Sequence, residues 1–196
     1  MPSAKTGVTD ETPSWSLRLA AEFHAADERA IALARMLSAD QVNWKPRRGD
    51  WSIGQCLAHL SAGNELYLDA ISASLEDHPR MVVGQITPGR LSQWFIERYV
   101  APPSPQMKRA TAPGKIAPAP WIDPTILDRF LQTNQRAREV IREASDCDVN
   151  RIRFRNPFVP LVRFTVGTGL EILSQHERRH LLQAERVRAS AGFPPV

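Results

Sequence analysis

The sequence predicts an all-α protein, a four-helix bundle with a long proline-rich crossover between its second and third helices. Three observations lead there. Four long segments repeat apolar residues at three- and four-residue spacing, the period of a helix that turns one face to a core. Helix-start signals stand ahead of these segments, either a polar cap followed by Pro or a Ser/Thr with Gln/Glu three residues on. Between residues 100 and 121, Pro102, Pro103, Pro105, Pro113, Pro118 and Pro120 forbid a continuous helix.

The first helix follows Thr12-Pro13, read as a cap with Pro at the first helical position, and extends to about Ser38. Leu17, Ala20, Ala21, Phe23, Ala30, Ile31, Ala34 and Leu37 supply its apolar stripe, and Asp27, Glu28 and Arg29 its wet side. The stretch 40–50 breaks helicity at Pro46 and Gly49, with Trp44 packing down on the helix ends. The second helix opens at Ser52, where Ser52 and Gln55 form a capping box and Trp51 serves as a hydrophobic staple. It runs to about Asp77. One stripe carries Ser52, Cys56, His59, Gly63, Leu66 and Ala70, with Ile53, Leu60, Tyr67 and Ile71 beside it. Ala62, Gly63 and Ala70 are small enough to let a neighbouring helix or a ligand come close.

A short helix is expected at 90–99, followed by the crossover at 100–121, draped over an end of the bundle where it would cover a pocket. The third helix opens at Asp123-Pro124 and runs to about Ala144, with Ile126, Leu127, Phe130, Leu131, Ala137, Val140 and Ile141 as its core face. Residues 151–164 read as extended, from two prolines and a short alternation. The fourth helix starts at Thr165 or Thr168 and runs to about Ser190. Residues 1–12 are expected to be a disordered tail and 13–192 a single bundle domain.

Composition limits the function classes. At 196 residues the chain is long enough to bury a core, and its hydrophobic share of 42% is ordinary for a globular domain. No apolar run reaches the roughly 18–20 residues of a membrane span, and no signal peptide is evident, so a soluble cytoplasmic protein with no membrane partner is expected. Two cysteines, Cys56 and Cys147, are too few for a disulfide framework and agree with a reducing compartment. The net charge of +4 comes from 21 arginines against 4 lysines, spread among Asp and Glu. This is a solvated surface, and no nucleic-acid partner is expected.

The candidate chemistry lies in histidines. His176 and His180 are four apart in a helical run, so both imidazoles project from one face, which also carries Gly169, Leu173, Ala184 and Val187. Two inward imidazoles side by side are economically explained by a divalent metal that binds both. His59, on the buried side of the second helix, is the third candidate ligand. Three imidazoles from facing helices leave coordination positions open, the pattern of a catalytic site. Zn²⁺ or Ni²⁺ suits such a set, and Mn²⁺ or Fe²⁺ is admissible.

Of the other candidates, His24 and His78 read as surface or helix-end residues and Cys56 as small core. Gln183, one turn after His180, is either a hydrogen-bond partner of the ligands or a core-edge amide. Glu177 reads as a solvated helix carboxylate, with a general-base role as the alternative. Arg178 and Arg179 are assigned to the surface.

The residues Trp44-Lys45-Pro46, then Trp51-Ser52-Ile53-Gly54-Gln55-Cys56-Leu57-Ala58-His59, and finally His176-Glu177-Arg178-Arg179-His180-Leu181-Leu182-Gln183 resemble the DinB-like superfamily of metal-dependent four-helix bundles. The group includes bacillithiol-transferase-like and mycothiol-dependent isomerase-like proteins. The resemblance implies a bundle that binds a divalent metal through His59, His176 and His180, often as a homodimer. The resemblance does not fix the reaction; the leading expectation is a small-thiol-dependent S-transferase, with a low-molecular-weight thiol as co-substrate and a small electrophile as substrate. In that case Arg151, Arg153, Arg155 or Arg163 would receive a carboxylate of the thiol if the extended segment borders the pocket; plain surface charge is the other assignment. The alternatives are hydrolysis, with the metal activating water instead, and a non-catalytic stress-associated or ligand-binding bundle.

Overall fold

The computed structural model describes residues 12–76, 78–102, 112–159 and 161–195. Its helices are α1 (Ser14–Ala34), α2 (Ala39–Asn43), α3 (Ile53–Leu75), α4 (Arg90–Phe95), α5 (Ile126–Ala144) and α6 (Val166–Arg188). A π-helical turn, Ile96–Val100, continues α4, and a 3₁₀ turn spans Gly114–Ile116. Two short strands, β1 (Arg153–Arg155) and β2 (Arg163–Thr165), pair antiparallel with Phe154 opposite Phe164. The bundle consists of α1, α3, α5 and α6, in which α1 and α3 lie diagonally and each packs against both α5 and α6. The expected tail falls, apart from Thr12, outside the described residues, as does 103–111 of the expected crossover.

Local signals explain most helix starts. At α3 the capping box forms as expected: the Gln55 N–H donates to Ser52 Oγ at 3.1 Å and the Ser52 N–H donates to Gln55 Oε1 at 3.2 Å. A second box, Ser38 with Gln41, starts α2. Thr165 rather than Thr168 caps α6, accepting from the Thr168 N–H at 3.2 Å. Two Pro-based expectations shift by a position or two. Pro13 is itself the cap of α1, with no side-chain bond from Thr12, and α5 begins two residues after Pro124 because Asp123 first accepts from the Thr125 N–H in a tight turn.

Two apolar clusters fill the bundle. One gathers Trp15, Leu19, Phe23, Leu68, Ile71, Ile141, Leu170 and Leu173 under the hairpin. The other gathers Ala30, Leu33, Ile53, Leu57, Leu60, Phe130, Leu181 and Ala184 around the opposite half. The expected stripe of α1 needs correction: Leu17 is exposed, because the buried line runs through Trp15, Leu19, Phe23, Ala26 and Ala30, and a residue two positions off that line points about 200° away. Trp44 packs edge-on against Phe193, pinning the C-terminal segment near the start of the bundle.

The extended backbone expected at 151–164 takes the form of the paired strands β1 and β2. Phe154 and Phe164 face inward, and β1 sits so close to α6 that a Cβ on Gly169 would lie 2.6 Å from the Phe154 ring. Arg153, Arg155 and Arg163 consequently line the outer, exposed face.

Candidate metal centre

His59 reaches in from the first half of α3, and His176 and His180 from the middle of α6, at the seam where these two helices pack. Capping fixes where α3 begins, and α6 has the i, i+4 geometry that stacks its two imidazoles. The three rings meet nearly edge to face, with centroids 4.7–4.9 Å apart. Their ligand atoms all lie within 4.8 Å of one another, and His59 Nε2 is 3.1 Å from His176 Nε2. Nitrogens about 2.0–2.1 Å from one ion stand roughly 3 Å or slightly more apart, so the His59–His176 pair already has the right spacing. His59 and His180 are buried, while His176 is only partly so.

Outer contacts orient the set. His59 Nδ1 lies 2.9 Å from the Ile116 carbonyl oxygen and His180 Nδ1 lies 3.0 Å from Gln183 Oε1. An oxygen acceptor requires the proton on Nδ1, which leaves Nε2 of both rings unprotonated, that of His59 facing His176 Nε2. Gln183 is thus a hydrogen-bond partner of His180 rather than a plain core-edge amide. Truncating it, as Gln183→Ala, frees the His180 ring and is expected to weaken divalent-metal affinity about 10–100-fold, as metal titration would read. An unchanged affinity would remove Gln183 from the site.

Ile116 belongs to a strap that sequence reasoning did not connect to the histidines. The Gln55 side chain donates to Ala119 O at 2.8 Å, and Asn43 brackets Ile122 by donating to its carbonyl and accepting from its N–H, both at 2.8 Å. Residues 114–122 are therefore fastened to α3 and to the end of α2. Trp51 was also underestimated as a mere staple: its ring stacks on His180 at 5.5 Å and tilts against His59 at 4.8 Å, walling one side of the cluster.

Electrostatics keep the imidazoles neutral. Burial pushes His180 down to about 3, helped by the nearby His59 and Arg179 charges. Burial likewise lowers His59, and puts His176 well below its usual value with help from His180, His59 and Arg179. Neutral imidazoles are what a divalent ion requires. The same shifts make the metal-free protein acid-sensitive. Between pH 6.5 and about 3 the unfolded His180 is protonated and the native one is not, so stability is lost as pH falls through this window. Glu177, raised, works in the opposite direction, because its contribution is present at low pH and lost as pH rises. Comparison with His180→Gln isolates the histidine: urea midpoints should fall less steeply with acid in the variant, and parallel curves would contradict the assignment.

The remaining candidates sort plainly. His24 and His78 are exposed. Cys56 is fully buried core, with burial pushing its thiol up to about 12. Arg178 is exposed, but Arg179 is half-buried and donates to Ala101 O at 3.2 Å, against expectation. Arg153, Arg155 and Arg163 stand on the outer face of a hairpin seated near Gly169, about two helical turns from His176, so the hairpin does not bring them to the histidines.

The main correction concerns Glu177. It is 1% exposed, not solvated. Asn64 donates to its Oε1 at 2.7 Å and Asn134 to its Oε2 at 3.3 Å, and burial raises it well above the usual carboxylate range. No pattern in the local sequence signals this, because its partners lie on α3 and α5.

Fold and site together define a four-helix bundle with a three-histidine cluster able to coordinate a divalent metal ion. The chain belongs to the DinB superfamily, whose family profile matches residues 22–184. In fold it is similar to YfiT from Bacillus subtilis, described as a probable metal-dependent hydrolase with an unusual four-helix bundle topology, at 15% identity and a TM-score of 0.57, over 96% of this chain and 92% of that one. No curated protein matches the sequence. Among the described residues no helix is long and apolar enough to cross a membrane.

Proposed function

We propose that His59, His176 and His180 hold a divalent metal ion and that the protein is a metal-dependent hydrolase. The observation that carries this reading is the cluster itself, three neutral imidazoles with two Nε2 lone pairs set by outward Nδ1 hydrogen bonds. An ion held there supplies Lewis acidity and activates water at neutral pH while keeping positions open for substrate. The chain's own residues do the rest. Ile116 and Gln183 hold the tautomers, and Trp51 shields the His180 face from water. Glu177 does not act as the base, since both its oxygens are engaged toward the bundle interior. The likeness to YfiT supports hydrolysis ahead of the small-thiol S-transferase, and the outward position of Arg153, Arg155 and Arg163 favours plain surface charge over a contact with a thiol carboxylate. The reading retains Zn²⁺ or Ni²⁺ as the first metals, a single domain over 13–192, a cytoplasmic location and a homodimer.

The test begins with protein purified without a histidine tag. Stoichiometric divalent metal, a melting temperature raised by Zn²⁺ or Ni²⁺, and chelator-sensitive hydrolysis within a panel of esters, amides and phosphoesters are expected. Turnover only when a small thiol and an electrophile are supplied together would replace hydrolysis with transfer. Absence of metal together with an unmoved melting temperature would leave a non-catalytic bundle.

A further inference from the structure

Between the two apolar clusters lies a polar layer to which every bundle helix contributes. Along α1 it falls at Asp27, after Phe23; along α3 at Asn64, between Leu60 and Tyr67; along α5 at Asn134, between Phe130 and Ala137; along α6 at Glu177, between Leu173 and Leu181. Asn64, Asn134 and Glu177 are 0%, 0% and 1% exposed. Glu177 is the hub, accepting from Asn64 at 2.7 Å and from Asn134 at 3.3 Å. Asn134 also donates to Asp27 at 2.9 Å, and Arg138 donates to the other oxygen of Asp27 at 2.6 Å.

A layer of this kind is poorly explained as a source of stability. A buried carboxylate is costly even when hydrogen-bonded, and an apolar side chain of like volume usually serves as well or better. Here the cost is compounded, because Asn64 Oδ1 and Asn134 Oδ1 have no hydrogen-bond partner among the described residues while their amide N–H groups serve the carboxylate. What a buried polar contact does supply is register, since any other rotation or slip of the helices leaves these groups unpaired. Its placement matters for the histidines. Glu177 adjoins His176 and precedes His180 by less than one turn, and its short bond goes to α3, the helix that carries His59 about 7.5 Å further along its axis. The Asn64–Glu177 bond therefore pins the rotation and height of α6 against α3, the two helices whose seam forms the cluster.

We infer that Glu177, held by Asn64 and Asn134, is a positioning residue that sets the geometry of the three-histidine centre. The inference rests on the metal reading above, and the experiment separates the two. Co²⁺ is titrated into wild-type protein, Glu177→Leu, Glu177→Gln, Asn64→Leu and Asn134→Leu, with the visible d–d spectrum, the dissociation constant and the melting temperature recorded. Glu177→Leu and Asn64→Leu each strand a buried partner and are expected to lower the melting temperature while the protein stays folded at 25 °C, and to bind Co²⁺ at least tenfold more weakly with an altered d–d spectrum. Glu177→Gln, which can still accept from Asn64, should return affinity to within about threefold and restore the spectrum. Asn134→Leu, whose contact with the seam passes only through Glu177, should have a smaller effect than Asn64→Leu. Wild-type protein that binds no Co²⁺ defeats the metal reading and this inference with it. Wild-type binding with an unchanged constant and spectrum in folded Glu177→Leu defeats the positioning role alone. Failure of both Glu177→Leu and Asn64→Leu to fold also overturns it, because the layer would then be a requirement of folding.

Discussion

Alanine at His59 or at His180 is expected to abolish stoichiometric metal binding while leaving the helical circular-dichroism spectrum intact. Each residue offers one ligand atom to the cluster, so each substitution removes a third of the donor set. Four-ligand zinc sites bind with apparent energies on the order of 10–16 kcal/mol, so one ligand accounts for about 3 kcal/mol, a loss of roughly a hundredfold in affinity. The fold should survive, because neither imidazole belongs to the apolar clusters and both are neutral, so no charge partner is stranded. His180→Ala has an added signature: Trp51 loses the ring it stacks on, and the tryptophan emission should shift as water reaches it. Elemental analysis and equilibrium dialysis decide the matter. Stoichiometric metal in both variants would mean that the ligands lie elsewhere.

Phe130→Ala is expected to be the most destabilising single truncation near the centre, at about 3–5 kcal/mol by urea unfolding. Phe130 is fully buried in the cluster formed with Ile53, Leu57, Leu60 and Leu181, the layer beneath both ligand-bearing helices. Against a total of roughly 5–15 kcal/mol for a typical domain, that loss brings the metal-free protein near the edge of folding. Metal should restore part of it, since a ligand at a hundred times its dissociation constant adds about 2.7 kcal/mol to the native state. A shift below about 1 kcal/mol would show that the bundle collapses around the void and that the helices are less tightly seated than described.

Both results depend on features that differ in how far the chain order announces them. The His176/His180 pair and the Ser52/Gln55 box are local: their geometry follows from helical period and from contacts three or four residues apart, so they could be read directly. His59 could be placed on a buried face by the same period. The stripe of α1 was misread at Leu17 because several alanines made the apolar line ambiguous, and packing against α5 and α6 selected one. Locally, Trp51 reads as a helix staple and 114–122 as crossover, since nothing near them in the chain ties them to the imidazoles.

Glu177 marks the boundary most clearly. Flanked by His176 and two arginines, it has the surroundings of a surface carboxylate, and its burial depends on amides 113 and 43 residues away in the chain. By itself the sequence determined the helical periods, the caps and the face on which each histidine projects, because these are set by backbone geometry within a few residues. Only the tertiary structure decided which faces meet, that three imidazoles converge at one seam, and that a carboxylate beside them turns inward. Those outcomes come from packing between segments far apart in sequence, where the energy of a side chain is fixed by partners that its neighbours in the chain do not name.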